Sequence, residues 1–239
     1  MVLTGKVVLV TGASSGIGEA IAYRFAREGG SVILCARRED LLSENVKKIR
    51  GLGGEALFVK ADLRVDADVE GLVNFIKEKV GRIDILINNA GVALGGFIDD
   101  FSMKSYDDVM NINIRALYNL TKQVIPLMKA QREGIIISIS SGSGKRGPPS
   151  QSAYAASKAA VIVFSESIAE ELKPFNVKVH TICPGMVAVK GHYQNMDREK
   201  LVQTQDVADL VIYLSNLPQR VNISEVSIMP YYPINMLNK

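Results

Sequence analysis

The stretch KVVLVTGASSGIG, residues 6–18, decides how this chain folds. Its apolar run predicts a β-strand, and glycines spaced G-x-x-x-G-x-G follow directly before a segment with helical periodicity. Glycines allow a tight turn and a close approach of the backbone to a phosphate, and the helix N-terminus adds free N–H groups and a positive dipole end. We therefore predict a strand–turn–helix unit that binds a dinucleotide, rather than a plain tight turn. The candidate contacts are Gly12, Ser14, Ser15, Gly16, Ile17 and Gly18.

The alternation of strand and helix continues through the chain. Apolar runs typical of buried strands occupy residues 6–10, 31–35, 56–60, 83–87, 134–140, 177–183 and 223–229. Amphipathic segments typical of helices lie at 16–28, 39–51, 66–80, 104–130, 152–172 and 206–217. This order predicts an α/β protein: a single-domain Rossmann fold with a doubly wound parallel sheet of about seven strands flanked by helices. We expect one domain over residues 1–239, with a cofactor half at about 1–90 and a catalytic and substrate half at about 91–239.

The composition argues against several classes of protein. The 239 residues carry a formal net charge of +3, which is too small to indicate nucleic acid or an anionic membrane as a partner. No apolar run reaches the roughly 18 residues of a membrane helix, and the N-terminus begins with a strand instead of a signal peptide, so we expect a cytoplasmic protein. Cys35 and Cys183 are expected to be small buried residues. The two histidines, His180 and His192, form no metal-ligand pattern, and no metal is expected.

Residues directly after the predicted strands are the next candidates, because ligands bind beyond the carboxyl ends of the strands in such sheets. After the second strand, Ala36 stands where a carboxylate would hold the ribose 2′-hydroxyl of NAD, and Arg37 and Arg38 follow it. A guanidinium pair suits a 2′-phosphate by charge and by bidentate geometry. This favours NADP(H) as the cofactor over the alternative of two solvated arginines at a strand end.

Further candidates follow the third and fourth strands. Asp62 either accepts a hydrogen bond from an adenine amino group or caps the helix that begins near Asp66, and the sequence leaves both open. Asn88-Asn89-Ala90-Gly91 either passes closely along a cofactor or forms a simple turn. The cofactor candidates from these two places are Asp62, Leu63, Asn89, Ala90 and Gly91.

A second group of candidates surrounds Tyr154 and Lys158, which lie one turn apart on the predicted helix 152–172. An ammonium beside a phenol favours the phenolate and lowers the pKa of the phenol, so that Tyr154 can exchange a proton with a substrate oxygen. Ser141 ends the fifth strand at the same edge, and the alternative for it is a capping role. Asn113 sits between apolar neighbours in a predicted helix, where asparagine is disfavoured, and this indicates a specific role for its side chain.

Taken together, these motifs resemble those of the classical short-chain dehydrogenase/reductase family, in order and in spacing, over nearly the whole chain. The residues that carry the resemblance are Thr11 to Gly18, Asn88 to Gly91, Asn113, Ser141, Tyr154, Lys158, Pro184 and Gly185. The number of residues between the serine and Tyr154 matches the family's motif for Ser141 rather than for Ser140. The individual motifs are weak signals, whereas the set is specific.

The resemblance implies a role for each residue. Tyr154 would be the general acid/base, and Lys158 would lower its pKa and hold the nicotinamide ribose. Ser141 would orient the substrate carbonyl, and Asn113 would position a water that links Lys158 to solvent. The residues that would line the nicotinamide are Pro184, Gly185 and Val187.

Two departures from the family's pattern bear on the cofactor and the substrate. Val189 stands where members commonly have a threonine that contacts the nicotinamide carboxamide. The segment 186–205, between the Pro-Gly turn and the next helix, is shorter than the helical lid of many members, which implies a more open pocket. The family also implies a homo-oligomer, a tetramer or a dimer, and small residues on the 152–172 helix are consistent with close packing against a partner.

We therefore expect an NADPH-dependent carbonyl reductase that acts in reverse as a secondary-alcohol dehydrogenase on small molecules. One alternative is a 3-oxoacyl-thioester reductase, in which Lys145 and Arg146 would contribute to binding an acyl carrier protein. The other is a non-catalytic protein that senses NADP(H), against which the complete catalytic set argues, since a binding protein needs no proton donor. The residues that could line the substrate pocket are Phe97, Met186, His192 and Tyr193. The alternative for each of them is ordinary packing within a loop.

Overall fold

Apolar strands buried on both faces form the centre of the protein. The computed structural model describes residues 3–233 and 236–237, and the seven predicted strands form one parallel sheet in the order β3-β2-β1-β4-β5-β6-β7. The strands are β1 (Val7–Thr11), β2 (Ser31–Ala36), β3 (Glu55–Lys60), β4 (Ile85–Asn88), β5 (Gly134–Ile139), β6 (Val177–Pro184) and β7 (Glu225–Ile228). The chain winds outward from the centre in both directions, so the predicted Rossmann fold is confirmed.

Helices cover both faces of this sheet. They are α1 (Gly16–Arg27), α2 (Glu39–Gly51), α3 (Asp66–Lys79), α4 (Met103–Met110), α5 (Ala116–Gln131), α6 (Ser152–Leu172) and α7 (Thr204–Ser215). One apolar core joins the sheet to α1, α2 and α7 and includes Phe25 and Val211. The other joins the sheet to α3, α5 and α6 and includes Ile76 and Leu120. Because each face packs against helices, the sequences of the inner strands are mostly apolar instead of alternating, whereas the edge strands β3 and β7 are partly exposed.

The predicted helix 104–130 is interrupted in the structure. A π-helical turn, Asn111–Arg115, separates α4 from α5. Such a turn holds one more residue per hydrogen-bonded ring than an α-helix does and is frequent at functional sites. Asn113 lies in this turn, with its side chain buried. The disfavoured asparagine is the sequence feature that coincides with this turn.

Smaller differences concern the ends of elements. Helix α7 begins at Thr204, before the predicted start at 206, because the Asp206 carboxylate accepts the main-chain N–H of Gln203 at 2.8 Å and closes the first turn. Strand β7 is shorter than the predicted run 223–229. Neither difference moves a candidate site residue.

The carboxyl ends of the strands gather the candidate residues at one edge of the sheet. The strand order reverses between β1 and β4, and this opens a cleft beyond their carboxyl ends. The glycine-rich turn leaves β1 at this cleft, Asn89 follows β4, and Ser141 follows β5. The sheet therefore places the predicted cofactor contacts and the predicted catalytic residues beside each other.

Two expectations about the whole chain stay predictions. The first is the division of the chain into a cofactor half and a catalytic half at about residue 90. Of the predicted domain 1–239, residues 1–2, 234–235 and 238–239 lie outside the described residues. The cellular compartment is the other. None of the helices in the described part of the chain combines the length and the apolar character needed to cross a membrane.

Candidate active site

The glycine-rich turn is shaped by contacts that leave no room for side chains. Gly12 and Gly16 both have a φ of about +65°, in the left-handed region that favours glycine. A Cβ at Gly18 would lie 2.5 Å from the Gly12 carbonyl oxygen, and a Cβ at Gly12 would lie 3.0 Å from Cα of Ala90. The backbone of this turn is therefore accessible to a phosphate at the start of α1. The turn borders a cavity of about 530 Å³, called here the cofactor cleft, which extends to the ends of β2 and β3.

Thr11 and Asn89 join the ends of β1 and β4 where the cleft opens. Thr11 Oγ1 accepts the main-chain N–H groups of Asn89 and Ala90 at 3.0 Å each and donates to the Ile87 carbonyl at 3.0 Å. The Asn89 side-chain amide donates in return to the Thr11 carbonyl at 2.9 Å. Asn89 and Ala90 thus line the cleft as parts of a fixed turn, and their contact with a cofactor stays a prediction. Thr11 was predicted only as the first residue of the glycine motif, and its role in joining β1 to β4 was not foreseen from the sequence.

Two arginines supply positive charge to the cofactor cleft. Arg38 donates to Ser14 Oγ at 2.8 Å and to Ser15 Oγ at 2.7 Å, so it also holds the glycine-rich turn. Arg37 lines the same cleft, and within the described residues neither arginine forms a salt bridge. Two guanidinium groups without a carboxylate partner fit a 2′-phosphate.

Asp62 lies at the end of β3, where Arg64 holds its carboxylate. The Arg64 main-chain N–H donates to Asp62 Oδ1 at 3.1 Å, and the Arg64 guanidinium donates to Oδ2 at 2.6 Å. These hydrogen bonds, with a smaller effect of Arg37, hold the pKa of Asp62 below its ordinary value. The capping position of α3 is Val65, so the alternative that Asp62 caps this helix is wrong. A contact of Asp62 or Leu63 with adenine stays a prediction, and both residues line the cleft.

Three of the four predicted catalytic residues line a second cavity of about 200 Å³, which adjoins the cofactor cleft, and Asn113 lies behind it. The residues brought together there include Ser141, Tyr154, Lys158, Pro184, Gly185 and Val187. The Ser141 hydroxyl lies close enough to the Tyr154 phenol to lower the pKa of that phenol, and Ser141 Oγ accepts the main-chain N–H of Ser143 at 3.1 Å. Two hydroxyl groups from different elements are thus paired at the wall of one cavity, within reach of a single substrate oxygen.

The pKa of Tyr154 shifts in the direction opposite to the one predicted from its spacing to Lys158. Burial raises the pKa of the phenol above its ordinary value, and the nearby Ser141 hydroxyl offsets part of that rise. The Lys158 ammonium instead donates to the Ile139 carbonyl at 2.9 Å and lies 5.9 Å from the centroid of the Tyr154 ring. The phenol therefore keeps its proton through the neutral range and can act as a proton donor.

Lys158 is itself buried, with 6% of its surface exposed. Burial penalises the charged form and lowers the pKa of its ammonium from 10.5 to about 8. An amine with this pKa can take up and release a proton near neutral pH, which a proton relay requires.

Asn113 and Gly91 lie next to the Lys158 ammonium. Asn113 Oδ1 accepts the Val92 N–H at 2.8 Å, and its amide donates to the Val92 carbonyl and to Ser157 Oγ, both at 3.0 Å. A Cβ at Gly91 would lie 3.0 Å from Asn113 Oδ1 and 3.5 Å from Lys158 Nζ, so the glycine leaves the space beside both groups open. The Asn113 side chain therefore has a specific role, which is to bind the main chain of Val92 and the Ser157 hydroxyl. Its part in a proton relay stays a prediction.

Ser140 is a positioning residue that the sequence analysis did not identify. Its hydroxyl donates to the main-chain carbonyl of Lys158 at 2.8 Å, between β5 and α6. Lys158 is thus bonded to the end of β5 twice, through Nζ to Ile139 and through its carbonyl to Ser140. Of the two serines, Ser141 is therefore the one whose hydroxyl lies beside the Tyr154 phenol. The signal in the sequence is the serine pair, but its partner lies 18 residues away and cannot be inferred from the pair.

The segment 186–205 forms a closed loop over the glycine-rich turn. Val187 and Val202 pair like residues of neighbouring parallel strands and join the two ends of the loop. Val189 packs onto the turn, since a Cβ at Gly16 would lie 3.1 Å from Val189 Cγ1. An apolar side chain that cannot donate a hydrogen bond thus lies at the position where the family commonly has a threonine.

Arg198 holds this loop from within. Its guanidinium donates to three main-chain carbonyls, those of Ala188 at 2.7 Å, Val189 at 3.2 Å and His192 at 3.3 Å. Nothing in the sequence distinguishes Arg198 from a solvated loop arginine, and the sequence analysis missed it. Arg198 therefore supplies three of the hydrogen bonds that hold the short lid, together with Gln203 and main-chain bonds between its two ends.

A third cavity, of about 810 Å³ and called here the substrate cavity, extends from the paired hydroxyl groups to the surface. Met186, Tyr193 and Met229 contribute to its apolar walls. Of the other loop candidates, His192 lines the second cavity, and Phe97 lines a separate surface groove.

Comparison with known proteins identifies the family to which this arrangement is similar. The sequence model described as short chain dehydrogenase matches residues 6–200. A protein of Staphylococcus aureus (strain MRSA252), described as an uncharacterized oxidoreductase, is 36% identical over 231 residues, which cover 96% of this chain and 99% of that protein.

Solved structures with bound cofactor are similar over nearly the whole chain. A metagenomic short-chain oxidoreductase in complex with NADP has a TM-score of 0.87 at 33% identity, and the match covers 98% of this chain and 100% of that chain. A variant of actinorhodin polyketide ketoreductase with NADPH has a TM-score of 0.87 at 31% identity, with 94% and 96% covered.

Proposed function

The chain belongs to the short-chain dehydrogenase family, and we propose that it reduces the carbonyl group of a small molecule with NADPH and, in reverse, oxidises a secondary alcohol. It is an NADP(H)-dependent oxidoreductase. The observation that carries the proposal is that Ser141 and Tyr154 both line the second cavity and the substrate cavity, where these adjoin the cofactor cleft.

The residues of the cleft fit this cofactor. Cβ atoms are excluded at Gly12 and Gly18, so the N–H groups at the start of α1 are accessible to a pyrophosphate. Arg37 and Arg38, which have no carboxylate partner among the described residues, would hold the 2′-phosphate. When bound, NADPH supplies the hydride that the carbonyl carbon accepts.

Tyr154 would supply the proton. Its raised pKa keeps the phenol protonated at neutral pH, so its O–H can donate to the substrate oxygen as negative charge develops there. Ser141 would donate a second hydrogen bond to the same oxygen and so orient the carbonyl. In the reverse direction Tyr154 would accept the proton of the alcohol.

Lys158 and Asn113 would return a proton to the site. Lys158, with a pKa of about 8, can exchange its proton with solvent near neutral pH. Asn113 is fixed beside it by three hydrogen bonds, and Gly91, which lines the second cavity with Lys158, leaves space next to both groups.

Oxidation of NADPH in the presence of a panel of carbonyl compounds tests this proposal. The panel holds aryl ketones, 3-oxo esters and 3-oxoacyl thioesters, and the absorbance of the reduced nicotinamide reports turnover. We expect at least one class to be reduced, and faster with NADPH than with NADH. Tight binding of NADPH without turnover of any class would contradict the proposal and favour a cofactor-sensing protein.

A 3-oxoacyl-thioester reductase is the second candidate. The observation in its favour is the size of the substrate cavity, which has the basic residues Lys145 and Arg146 among those lining it. Against it, Lys145 forms a salt bridge with Glu225, which weakens the basic patch that an acyl carrier protein would need. A preference for thioesters over simple ketones in the panel would decide for this candidate.

We also propose that the protein forms a homo-oligomer, a tetramer or a dimer. Tyr118 on α5 and Val163 on α6 are large apolar residues with 52% and 64% of their surface exposed, as expected for helix faces that pack against a second copy. Light scattering behind size exclusion measures the mass directly. A mass of one chain at micromolar concentration would contradict this proposal.

A further inference from the structure

The charges of the substrate cavity are unbalanced. Lys145 and Arg146 are among the residues that line it, and no aspartate or glutamate does so within the described part of the chain. Apart from these two cations, its walls are mostly apolar or small, with Met186, Tyr193 and Met229 among them. A cavity of this kind favours a ligand that combines an apolar body with negative charge.

Only one of the two cations is free to bind such a ligand. The Lys145 ammonium lies 2.5 Å from a carboxylate oxygen of Glu225, and this hydrogen bond raises the pKa of Lys145. The exposed guanidinium of Arg146 forms no salt bridge within the described residues. Arg146 is therefore the uncompensated charge at this cavity.

The backbone that carries Arg146 is fixed relative to the catalytic residues. The N–H of Gly144 donates to the Ser141 carbonyl at 2.9 Å, and the N–H of Arg146 donates to the Gly142 carbonyl at 3.2 Å. Gly144 lies against the backbone of α6, since a Cβ there would lie 2.7 Å from the main-chain carbon of Lys158. The position of the Arg146 main chain is therefore set before a ligand binds, and only its side chain has to be ordered.

We propose that the natural substrate is an oxo acid, whose carboxylate binds Arg146 while its carbonyl lies at Ser141 and Tyr154. One guanidinium matches one monoanionic carboxylate in charge and can donate two parallel hydrogen bonds to it. The hydrocarbon between the two groups packs against the apolar wall at Met186 and Met229. This assignment rests on the proposed carbonyl reductase activity and specifies its substrate class.

A matched pair of ketones measures the effect of the substrate's carboxylate charge by itself. The pair is 4-acetylbenzoate and its methyl ester, which share the ketone and differ in the carboxylate. We expect kcat/KM of the wild type to be higher for the acid, and Arg146→Gln to lower kcat/KM for the acid about 3- to 10-fold more than for the ester, mainly through KM. Arg220→Gln, an exposed arginine that lines none of the cavities described here, makes the same change in net charge and should leave the acid-to-ester ratio unchanged.

Binding to the NADP⁺-loaded enzyme gives the same comparison without turnover. Calorimetry should show tighter binding of the acid than of the ester, and Arg146→Gln should remove the difference. Equal binding of acid and ester to the wild type would overturn the inference, as would an equal loss of both in Arg146→Gln. If the acid binds more tightly than the ester but neither is reduced, the carboxylate site is supported and only the proposed reductase activity is contradicted.

Discussion

The cofactor cleft and the substrate cavity meet at Tyr154, but they are built in different ways. The cleft is shaped by backbone: the glycine-rich turn between β1 and α1 has no room for Cβ atoms, and Thr11 and Asn89 fix it to β4 through main-chain groups. The substrate cavity is shaped by two loops, 142–151 and 186–205. Main-chain hydrogen bonds hold the first loop, and the Arg198 side chain binds three carbonyls of the second.

This difference separates what the fold dictates from what a few substitutions can change. A site formed by backbone needs particular residue types at particular spacings, and it tolerates little variation. A loop held in part by a side chain such as Arg198 can take a new shape when that side chain changes, so specificity can vary while the chemistry is kept. The cleft is therefore recognisable in the sequence, whereas the substrate is not.

Gly18→Ala should have the largest effect, because it breaks the part built from backbone. The added Cβ would lie 2.5 Å from the Gly12 carbonyl oxygen and 2.5 Å from Asn89 Nδ2, so the turn must open. We expect the affinity for NADPH to fall about 100-fold, measured by calorimetry. Gly71→Ala in α3 is the matched control, since a Cβ there meets nothing within 4 Å. Equal affinities of the two variants would show that the turn does not hold the cofactor.

The arginines at the end of β2 sharpen the comparison within the cleft. Arg37→Ala should weaken NADPH about 30-fold and leave NADH nearly unchanged, since it removes a charge-assisted contact to the 2′-phosphate. Arg38→Ala should weaken both cofactors, because Arg38 also holds Ser14 and Ser15 of the turn. Dissociation constants for both cofactors provide the check, and an equal loss of NADPH and NADH in Arg37→Ala would defeat the assignment to the 2′-phosphate.

Arg198→Ala breaks the loop that borders the substrate cavity. Losing three hydrogen bonds to carbonyls should raise KM for the ketone about 10-fold and speed hydrogen exchange at residues 188–193, with a smaller change in kcat. Arg50→Ala serves as the control, because Arg50 bonds a main-chain carbonyl, that of Ala56, outside the lid. Unchanged exchange at 188–193 would mean that the lid does not depend on Arg198.

Ser140→Ala should have the smallest effect, at the junction of the two regions. Loss of the bond to the Lys158 carbonyl should lower kcat about 5-fold and shift the pH dependence of kcat that Lys158 causes. Ser138→Ala is a close control, since Ser138 is buried on β5 and its hydroxyl has no hydrogen-bond partner among the described residues. A loss of thermal stability in Ser140→Ala with an unchanged pH profile would reduce Ser140 to a structural residue.

Residues whose role is set by local backbone geometry could be predicted from the sequence. The glycines of the first turn, Arg37 after β2 and Asn113 in a disfavoured helical position each carry their signal in a few neighbouring residues. The inner strands could be predicted equally well, because burial on both faces makes their sequences continuously apolar.

Residues whose partners lie elsewhere could not be predicted. Arg198 acts on carbonyls of an irregular loop, and Ser140 acts on a carbonyl of α6, so their contacts depend on the tertiary structure. The pKa of Tyr154 was predicted in the wrong direction for a related reason. Spacing shows that Lys158 lies on the same helix face, but burial and the bond from Lys158 to Ile139 decide the shift.

The most direct test of the proposed chemistry is turnover of Tyr154→Phe beside its affinity for NADPH. The substitution removes the phenolic proton and leaves the ring in place. Reduction of a ketone that the wild type accepts should fall at least about 100-fold, while the dissociation constant for NADPH stays nearly unchanged. Turnover at the rate of the wild type would contradict the assignment of Tyr154 as the proton donor.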